Sequence, residues 1–389
     1  MRSISLAALI ALLAVGCTRA AEPPYPPSVR IPGLAFDWRT HERGAPGSDN
    51  WPLTWGDDDL QYTSWGDGGG FGGDGASGRV SLGVARIEGG VDSHRGSNRW
   101  GGRDAEIPAT FGGKSYGLLS VGSDLFMWVS PGSNTDGYES ATLYRSRDRG
   151  ASWEPAPWQL SRADGLVFPT FLQFGPGYEG ARDGYVYVYA PELRNDSELA
   201  VQRPGEIALL RAPAQRLMER DAYEFYAGLG EDGQPRWSAD PALRAPVFRD
   251  PAGVGWNASV SYNAGLGRYL LATEHSESFR GNLGIFDAAE PWGPWTTVLY
   301  ENGWDDGGES PVGVEPTTFF WNFSNKWASR DGARFTLVFT GIEGNDSWNS
   351  VQGVFVASPV EDDLDAAPAV DAGGIGLGTL DRRSGERGA

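Results

Sequence analysis

Cysteine, histidine and positive charge are all scarce in this sequence. Its 389 residues include one Cys, 3 His and 3 Met, with 32 Lys and Arg against 51 Asp and Glu. A single cysteine excludes an intrachain disulfide, and three histidines speak against a zinc site built from histidine ligands. The net charge of -19 and the pI near 4.6 argue against nucleic acid as a partner, because phosphate binding requires a basic face. An uncharged or cationic ligand fits better, although surface acid also keeps secreted proteins soluble.

The N-terminal apolar run, Leu6 to Val15, is too short to span a bilayer and has the form of a signal-peptide core. The segment LAVGC that ends at Cys17 resembles a bacterial lipobox, in which the signal is cleaved before the cysteine and the sulfur is acylated. We therefore expect a lipoprotein signal peptide over 1–16, lipidation at Cys17 and a Pro-rich tether over 17–30. The protein is then exported and lipid-anchored to a bacterial membrane, in the outer membrane or facing the periplasm. An ordinary secretory signal that ends near a cysteine is the alternative.

Glycine and aromatic residues, in contrast, are abundant. The 56 Gly, 16 Trp and 12% aromatic content are typical of a folded, turn-rich all-β protein. Five segments repeat one form, two short strands joined by a polar turn, then a third strand and often a fourth: 51–87, 116–153, 170–212, 257–300 and 319–357. This spacing predicts a single five-bladed β-propeller of four-stranded blades over 31–358, with residues 31–42 closing it from outside.

Three other stretches complete the predicted organisation. Residues 213–227 are expected to form one short peripheral helix, because Leu217, Met218 and Phe225 are its apolar positions. Residues 359–389 are acidic and then Gly-rich, which predicts a disordered tail. Residues 146–153, SRDRGASW, match the Asp-box pattern S-x-D-x-G-x-x-W of sialidase-like propeller blades. Asp148 then caps a turn, and we assign it no catalytic role.

The stretch 48–75 holds the densest mixture of carboxylates, tryptophans and glycines. Two apolar runs, 51–55 and 60–65, flank the acidic turn 56–59 and predict a β-hairpin. Asp49 enters the first strand and Asp67 leaves the second, so both side chains are expected at the same end of the hairpin. The turn acids lie at the opposite end and are expected to be structural. The Gly-rich run after Asp67 is expected to lie close to a bound ligand.

Propeller geometry brings the starts of the inner strands and the ends of the second strands to one mouth of the central channel. We predict Asp49, Asp67 and Glu274 as the catalytic residues. The predicted substrate-binding residues are Asn50, Trp51, Lys114, Tyr116, Glu192, Asn257, His275, Trp321, Asn322 and Glu343.

This mixture suits carbohydrate, because indole rings stack on sugars while amides, carboxylates and lysine bind hydroxyls. Glycoside hydrolysis needs one protonated carboxyl and one carboxylate, which Asp49 and Asp67 supply in this hypothesis, with Glu274 as a third acid. Turn capping or a structural Ca²⁺ is the alternative role of Asp49 and Asp67. No cofactor is required.

The runs DNWPLTWGDDDLQYTSWGDGGGFGG, FLQFGPGYEGARDGYVYVYA and GIFDAAEPWGPWTTV resemble the signature runs of a group of bacterial exported proteins, the domain of unknown function family DUF4185. The resemblance implies a five-bladed propeller, and some members are implied to be glycoside hydrolases related to endo-D-arabinanases. In the related arabinanase and fructosidase propellers an Asp on the first inner strand acts as base or nucleophile, and Asp49 matches that position. The arabinanase pattern also has an Asp on the second blade. The second inner strand of this sequence begins GGKSYG instead and carries no carboxylate.

Three functions follow as hypotheses. The first is a surface-anchored, monomeric glycoside hydrolase that cleaves a polysaccharide, such as an arabinan. The second is a non-catalytic glycan-binding lipoprotein. The third is a polysaccharide lyase, in which Lys114 neutralises a uronate while Tyr116 and His275 move the proton.

Overall fold

The computed structural model describes residues 21–131, 138–166, 168–194 and 199–358. The predicted signal peptide, Cys17 and the predicted tail lie outside these ranges. Within them the regular elements are β-strands and one-turn 3-10 helices, so the all-β prediction is confirmed. The described ranges contain no helix of sufficient length and apolar character to cross a membrane.

The strands follow one another as antiparallel groups. The chain begins with β1 (Gly33–Gly44), and the first sheet consists of β2 (Leu53–Trp55), β3 (Gln61–Gly66), β4 (Leu82–Glu88) and β5 (Arg95–Trp100). The second consists of β6 (Lys114–Val121), β7 (Asp124–Ser130), β8 (Ser140–Ser146) and β9 (Glu154–Ser161). The third contains β10 (Thr170–Gln173), β11 (Tyr185–Pro191), β12 (Gly205–Pro213), β13 (Glu224–Leu229), β14 (Pro235–Ser238) and β15 (Pro246–Asp250).

The fourth sheet is formed by β16 (Ala258–Asn263), β17 (Arg268–Glu274), β18 (Leu283–Ala288) and β19 (Thr296–Glu301). The fifth contains β20 (Thr318–Phe323), β21 (Arg334–Gly341) and β22 (Trp348–Val356). The 3-10 helices of the described residues are Arg162–Asp164, Pro176–Tyr178, Ala214–Arg216, Arg220–Ala222, Pro241–Leu243 and Glu343–Asn345.

The five antiparallel groups coincide with the five repeated sequence segments. β1 pairs with β22 from Gly33 opposite Val356 to Gly44 opposite Trp348, so the N-terminal segment that was predicted to close the domain from outside forms the outer strand of the fifth sheet. The third sheet departs from the predicted four strands, because β12 pairs with both β13 and β15. It also joins the fourth sheet through parallel pairing of β10 with β16.

The predicted helix over 213–227 is wrong. β12 continues through Pro213, two single 3-10 turns follow, and β13 begins at Glu224. Phe225 pairs with Leu210 in the sheet, and the buried Tyr223 donates a hydrogen bond to the Leu217 carbonyl at 2.9 Å. Ladder bonds and burial of these side chains therefore override the weak helical spacing.

Part of the predicted tether is docked on the domain. The Tyr25 ring lies 5.2 Å from the Phe248 ring, and Pro27 forms a β-bridge with Thr297. Thr297 N–H donates to the Pro26 carbonyl and Ser28 N–H donates to the Thr297 carbonyl, both at 2.8 Å. The aromatic ring and these backbone bonds hold residues 25–28 against the third and fourth sheets.

The Asp148 turn has the hydrogen bonds that its sequence pattern predicts. Asp148 Oδ1 accepts from the N–H groups of Ala151 at 3.0 Å and Ser152 at 2.8 Å, and Gly150 has φ of +83°. Burial tends to raise the pKa of the Asp148 carboxyl, but the hydrogen bonds from Ser152, Ser146 and Ala151 outweigh burial, so the pKa is lowered.

Arg149, the residue after Asp148, holds the acidic turn of the β2–β3 hairpin. It pairs with Asp57 at 2.8 Å and with Asp58 at 2.6 Å. The acidic hairpin turn is therefore structural, as predicted.

Candidate active site

The β2–β3 hairpin places Asp49 and Asp67 at the same end, as its pattern predicted. Asp49 and Gly66 exchange two backbone hydrogen bonds, of 3.0 and 2.8 Å, so Asp67 follows directly beyond the pair. Asn50 and Asp67 have φ of 56° and 55°, a conformation that Asn and Asp tolerate better than most residues. The chain therefore turns away from the ladder at both of these positions.

Two cations hold the Asp67 carboxylate. Lys114 Nζ donates to Asp67 Oδ1 at 2.5 Å, and Arg79 lies 3.3 Å from Oδ2. Lys114 is 4% exposed and begins the inner strand of the second sheet, which is the position predicted for it. Arg79 comes from the loop after the Gly-rich run and was not predicted. The two ion pairs fix the position of the Asp67 carboxylate.

Asp49 has a carboxyl whose proton affinity is governed mainly by burial. It retains some accessible surface, but burial raises the pKa of Asp49 to about 7. The Lys114 charge opposes this shift, while the charges of Asp346 and Asp67 add to it. The Asn50 amide donates to Asp49 Oδ1 at 3.0 Å. Near neutral pH this carboxyl is therefore divided between its protonated and ionised forms.

Asp346 forms a cluster of three carboxyls with Asp49 and Asp67, and it was not predicted from the sequence. It follows the 3-10 turn Glu343–Asn345 and precedes β22, and its carbonyl accepts a hydrogen bond from Gly47 N–H at 2.6 Å. Burial raises the pKa of Asp346 to about 6, with the Asp67 charge adding to the shift and the Arg79 and Lys114 charges opposing it. Its Oδ1 is buried and has no hydrogen-bond partner among the described residues.

Gly66 provides the space between these charged groups. A Cβ at this position would lie 2.8 Å from Asp49 Oδ1 and 3.2 Å from Lys114 Nζ. Both distances are shorter than ordinary contacts to a methyl group. The absent side chain therefore lets the carboxyl and the ammonium approach the hairpin backbone from the same side.

The cluster opens into a cavity of about 120 Å³. Of the predicted residues, Asp49, Asn50, Lys114 and Tyr116 line it. Its other lining residues, which the sequence did not reveal, are mostly apolar: Tyr138, Leu199, Trp256, Phe279, Phe319 and Ile342. We call this space the Asp49 cavity.

The rings of Tyr116, Trp256 and Phe319 form an aromatic wall of the Asp49 cavity. The Trp256 ring lies 4.9 Å from the Tyr116 ring and 5.6 Å from the Phe319 ring. Trp256 directly precedes the predicted Asn257, and Phe319 directly follows the first residue of β20. These aromatic residues were missed because a shift of one position along a strand changes which side chain faces the channel.

Unsatisfied polar groups lie beside this wall. Asn257 donates to Asn50 Oδ1 at 3.3 Å, but its own Oδ1 is buried without a partner among the described residues. Trp256 Nε1 is in the same state. Buried polar atoms normally have partners, so these two atoms are candidates for hydrogen bonds to a bound ligand.

Glu274 and His275 do not line the Asp49 cavity. Glu274 is fully buried, and its Oε1 accepts from Phe279 N–H at 2.7 Å. Burial raises the pKa of Glu274 to about 8. His275 stacks on Tyr300 at 3.7 Å, and burial lowers the pKa of its ring to about 4. Glu274 therefore supports the cavity-lining Phe279 from behind, and His275 is neutral at physiological pH.

The remaining predicted residues lie elsewhere. Trp51 is fully buried between the Trp65 and Trp348 rings, at 5.8 and 5.5 Å. Glu192 is paired with Arg244 and Arg194, each at 3.1 Å. Three others also fall outside the cavity lining, namely the buried Trp321 and Asn322 and the exposed Glu343. The positions of the strand ends were predicted well. These five side chains nevertheless lie outside the Asp49 cavity, because they point elsewhere or, for Glu192, are held in ion pairs.

The Gly-rich run packs closely against neighbouring backbone, and its predicted position beside a ligand stays a prediction. Gly70 N–H donates to Ser48 Oγ at 3.0 Å, and Phe71 N–H donates to Asn98 Oδ1 at 2.9 Å. A Cβ on Gly68 would lie 2.1 Å from the Gly47 carbonyl oxygen. The glycines therefore permit close contact between protein backbones.

The described part of the chain contains no group of three or more His, Cys, Asp or Glu side chains arranged to hold a metal ion. The acidic groups around Asp67 are instead balanced by Lys114 and Arg79. The arrangement is therefore suited to proton transfer between carboxyls and a ligand in a partly apolar cavity.

Several solved structures are similar to this chain at low identity. RS223-β-xylosidase has 13% identity and a TM-score of 0.46 over 84% of this chain and 98% of its own. An exo-β-1,3-galactanase from Phanerochaete chrysosporium has 9% identity and a TM-score of 0.47 over 82% and 64%. A thermostable family-43 glycoside hydrolase has 12% identity and a TM-score of 0.42 over 81% and 91%. Likeness this distant carries no conclusion about the activity of this chain.

No curated protein matches the sequence. A family model described as "Domain of unknown function (DUF4185)" matches residues 117–304, which include most of the second sheet and all of the third and fourth. This match confirms the resemblance found in the signature runs. Residues 117–304 of this chain are therefore similar to the DUF4185 family.

Proposed function

We propose that the chain is a glycoside hydrolase that cleaves a polysaccharide in the Asp49 cavity. Its five antiparallel sheets form the blades of a five-bladed propeller, whose inner strands β2, β6, β10, β16 and β20 surround the channel. The resemblance to the DUF4185 family supports this proposal, because it implies a five-bladed propeller and implies that some members are glycoside hydrolases. Export and lipid anchoring through Cys17 are part of the proposal and rest on the N-terminal sequence.

One observation carries the proposal. Two aspartates in the same small cluster have different electrostatic settings, since Asp67 is paired with two cations while burial raises the pKa of Asp49 to about 7. Pairs of carboxyls whose environments separate their proton affinities are the pattern used for acid and base roles. The aromatic wall of the Asp49 cavity supplies a surface on which a sugar ring stacks.

The roles follow from these settings. Protonated Asp49 donates its proton to the glycosidic oxygen as that bond breaks. The Asp67 carboxylate activates water or stabilises the positive charge that develops on the sugar ring. Asp346 helps to keep Asp49 protonated, because its negative charge raises the pKa of Asp49. Asn50 and Asn257 are assigned hydrogen bonds to sugar hydroxyls.

The same contacts favour a neutral substrate and do not support the lyase hypothesis. Lys114, which a lyase would use against a uronate, is already bound to Asp67. His275 stacks on Tyr300 outside the cavity. Burial, followed by the neighbouring Tyr138, raises the pKa of Tyr116 well above its ordinary value, which makes it a poor base. Lys114 is therefore not free to neutralise a uronate, and Tyr116 and His275 are not placed to move one proton.

The experiment is a screen of the full-length protein against neutral and acidic polysaccharides, with products identified by mass. New reducing ends without the ultraviolet absorbance of an unsaturated uronate indicate hydrolysis, whereas that absorbance indicates a lyase. On a confirmed substrate, Asp49→Asn and Asp67→Asn are each expected to lower kcat/KM by about 100-fold or more. Asp57→Asn is the matched control, because Asp57 lies at the opposite end of the hairpin. Full activity of Asp49→Asn would refute the assignment.

A non-catalytic glycan-binding role is the second candidate. It is favoured by the composition of the cavity lining, in which Asp49 is the one carboxyl and most of the other side chains, among them Trp256, Phe279 and Phe319, are apolar. This alternative predicts saturable binding of a glycan with no products, and unchanged affinity in Asp67→Asn when the sugar contacts only the aromatic wall.

A further inference from the structure

A second cavity, of about 280 Å³, lies at the other end of the inner strands. β2, β16 and β20 end at it with Trp55, Asn263 and Phe323, and Phe174, which directly follows β10, also lines it. Asp49 and Lys114 lie at the opposite ends of the inner strands of the first two sheets. This far-end cavity therefore shares no lining residue with the Asp49 cavity.

Its interior offers fixed aromatic surfaces. Trp55 is half-buried, and its indole N–H donates to Asp59 Oδ1 at 3.1 Å, which fixes the orientation of the ring. Tyr262 is also half-buried, and its ring lies 4.8 Å from the Tyr269 ring and 5.3 Å from the Phe174 ring. Partly exposed, oriented aromatic rings are the surfaces on which sugar rings stack.

The charged side chains at the rim of the far-end cavity have a net charge close to zero. Arg330 and Glu179 line the cavity and are exposed, and within the described ranges neither takes part in a salt bridge. Lys326 also lines it, but its ammonium lies 3.2 Å from Asp59 Oδ1 and is thereby neutralised. One cation and one anion with unused hydrogen-bonding capacity favour an uncharged ligand that carries both donors and acceptors.

An unsatisfied buried donor adjoins the lining. Ser324 lines the cavity and donates to Gln61 Oε1 at 2.6 Å. Gln61 is only 1% exposed, yet its Nε2 has no partner among the described residues. Such groups are rare in folded proteins and are commonly explained by a bound water or ligand.

We propose that the far-end cavity is a second, non-catalytic binding site for a neutral saccharide. Its volume is near the lower end of the range of about 300 to 1,000 Å³ for small-molecule sites, which suits one or two sugar rings at a chain end. Glu179 is its one carboxylate, so it lacks the acid pair that hydrolysis requires. This inference requires no catalytic step at Asp49 and stands independently of the hydrolase proposal.

The test uses the full-length protein labelled with 5-fluorotryptophan and observed by fluorine NMR. The Trp55 and Trp256 signals are identified by their loss in Trp55→Phe and Trp256→Phe, and the remaining tryptophan signals show whether each variant is folded. Asp49→Asn is used throughout to prevent turnover. The probes are neutral pentose and hexose trisaccharides, with a uronate trisaccharide and an apolar aromatic alcohol for comparison.

A saturable shift of the Trp55 signal with a neutral trisaccharide is expected, with affinity reduced at least fivefold by Arg330→Ala. Glu154→Gln, a change at an exposed glutamate outside the cavity, is expected to leave that affinity unchanged. The inference is overturned by an unmoved Trp55 signal with every neutral probe, or by a response to the uronate or the aromatic alcohol alone. A shift of Trp55 without any shift of Trp256 supports the far-end site while counting against the Asp49 cavity, so the two proposals fail separately.

Discussion

Replacement of Glu274 by Gln is expected to stabilise the fold at alkaline pH. Glu274 is fully buried, and the cause of its raised pKa is desolvation, which the Phe279 hydrogen bond only partly offsets. Between its unfolded and folded pKa values the folded state holds a proton that the unfolded state has released. The free energy of unfolding therefore decreases as the pH rises through this interval. Glutamine keeps the acceptor for Phe279 N–H and cannot ionise.

The magnitude follows from the shift itself. A change from 4.5 to about 8, at about 1.4 kcal/mol per pKa unit, corresponds to at most about 5 kcal/mol. A domain of this size shifts its Tm by roughly 1.5 °C per kcal/mol, from the usual unfolding entropy per residue. We therefore expect the Tm of Glu274→Gln, relative to that of the wild type, to rise by roughly 3 to 7 °C between pH 5 and pH 8.

The assay is thermal unfolding, followed by tryptophan fluorescence at half-unit steps of pH. The control is Glu343→Gln, because Glu343 is exposed and its replacement is expected to leave the pH dependence unchanged. Parallel Tm curves for the wild type and Glu274→Gln from pH 5 to pH 8 would show that Glu274 is solvated, and the account of the cavity wall would be refuted.

Three other predictions concern the Asp49 cavity and the Asp-box turn. The kcat/KM of the wild type should fall above about pH 7 as Asp49 loses its proton, and Asp346→Asn should move this limb to lower pH by roughly half a unit to one unit. Gly66→Ala should lower kcat/KM by roughly 10-fold or more with little change in Tm. The added Cβ would lie 2.8 Å from Asp49 Oδ1, and a small displacement of a catalytic group lowers the rate strongly. Unchanged activity of Gly66→Ala would contradict this placement of Asp49. Asp148→Ala should lower stability at pH 7 by roughly 1–3 kcal/mol in urea unfolding, because it removes the acceptor of two backbone N–H groups. Its folded pKa is lowered, so the wild-type advantage should disappear as the pH falls through that pKa.

Short-range patterns predicted the strands well. The hairpin over 51–65 and the five repeated segments agree with the observed sheets, because alternation and turn residues act over a few positions. The helix predicted over 213–227 was wrong because contacts with a neighbouring strand determine the structure there. Its spacing was weak, and pairing of Phe225 with Leu210 on a neighbouring strand decided the outcome.

Site residues were predicted in part. Asp49 and Asp67 were found because one hairpin register brings them together. Asp346 was not, because it reaches the cluster from the far end of the domain, where β22 returns beside the first sheet through the Gly47 contact. Glu192 lies at a correctly predicted strand end, but Arg244 and Arg194 bind its carboxylate away from the cavity.

The sequence by itself determined the all-β class, the order of the strands and the two aspartates at one end of the first hairpin. These features depend on alternation, turn chemistry and register, which are local. Only the tertiary structure decided that Asp67 is paired with Lys114 and Arg79 while burial raises the pKa of Asp49 and Asp346. Desolvation and charge proximity depend on distances between residues remote in sequence, and no local pattern specifies them.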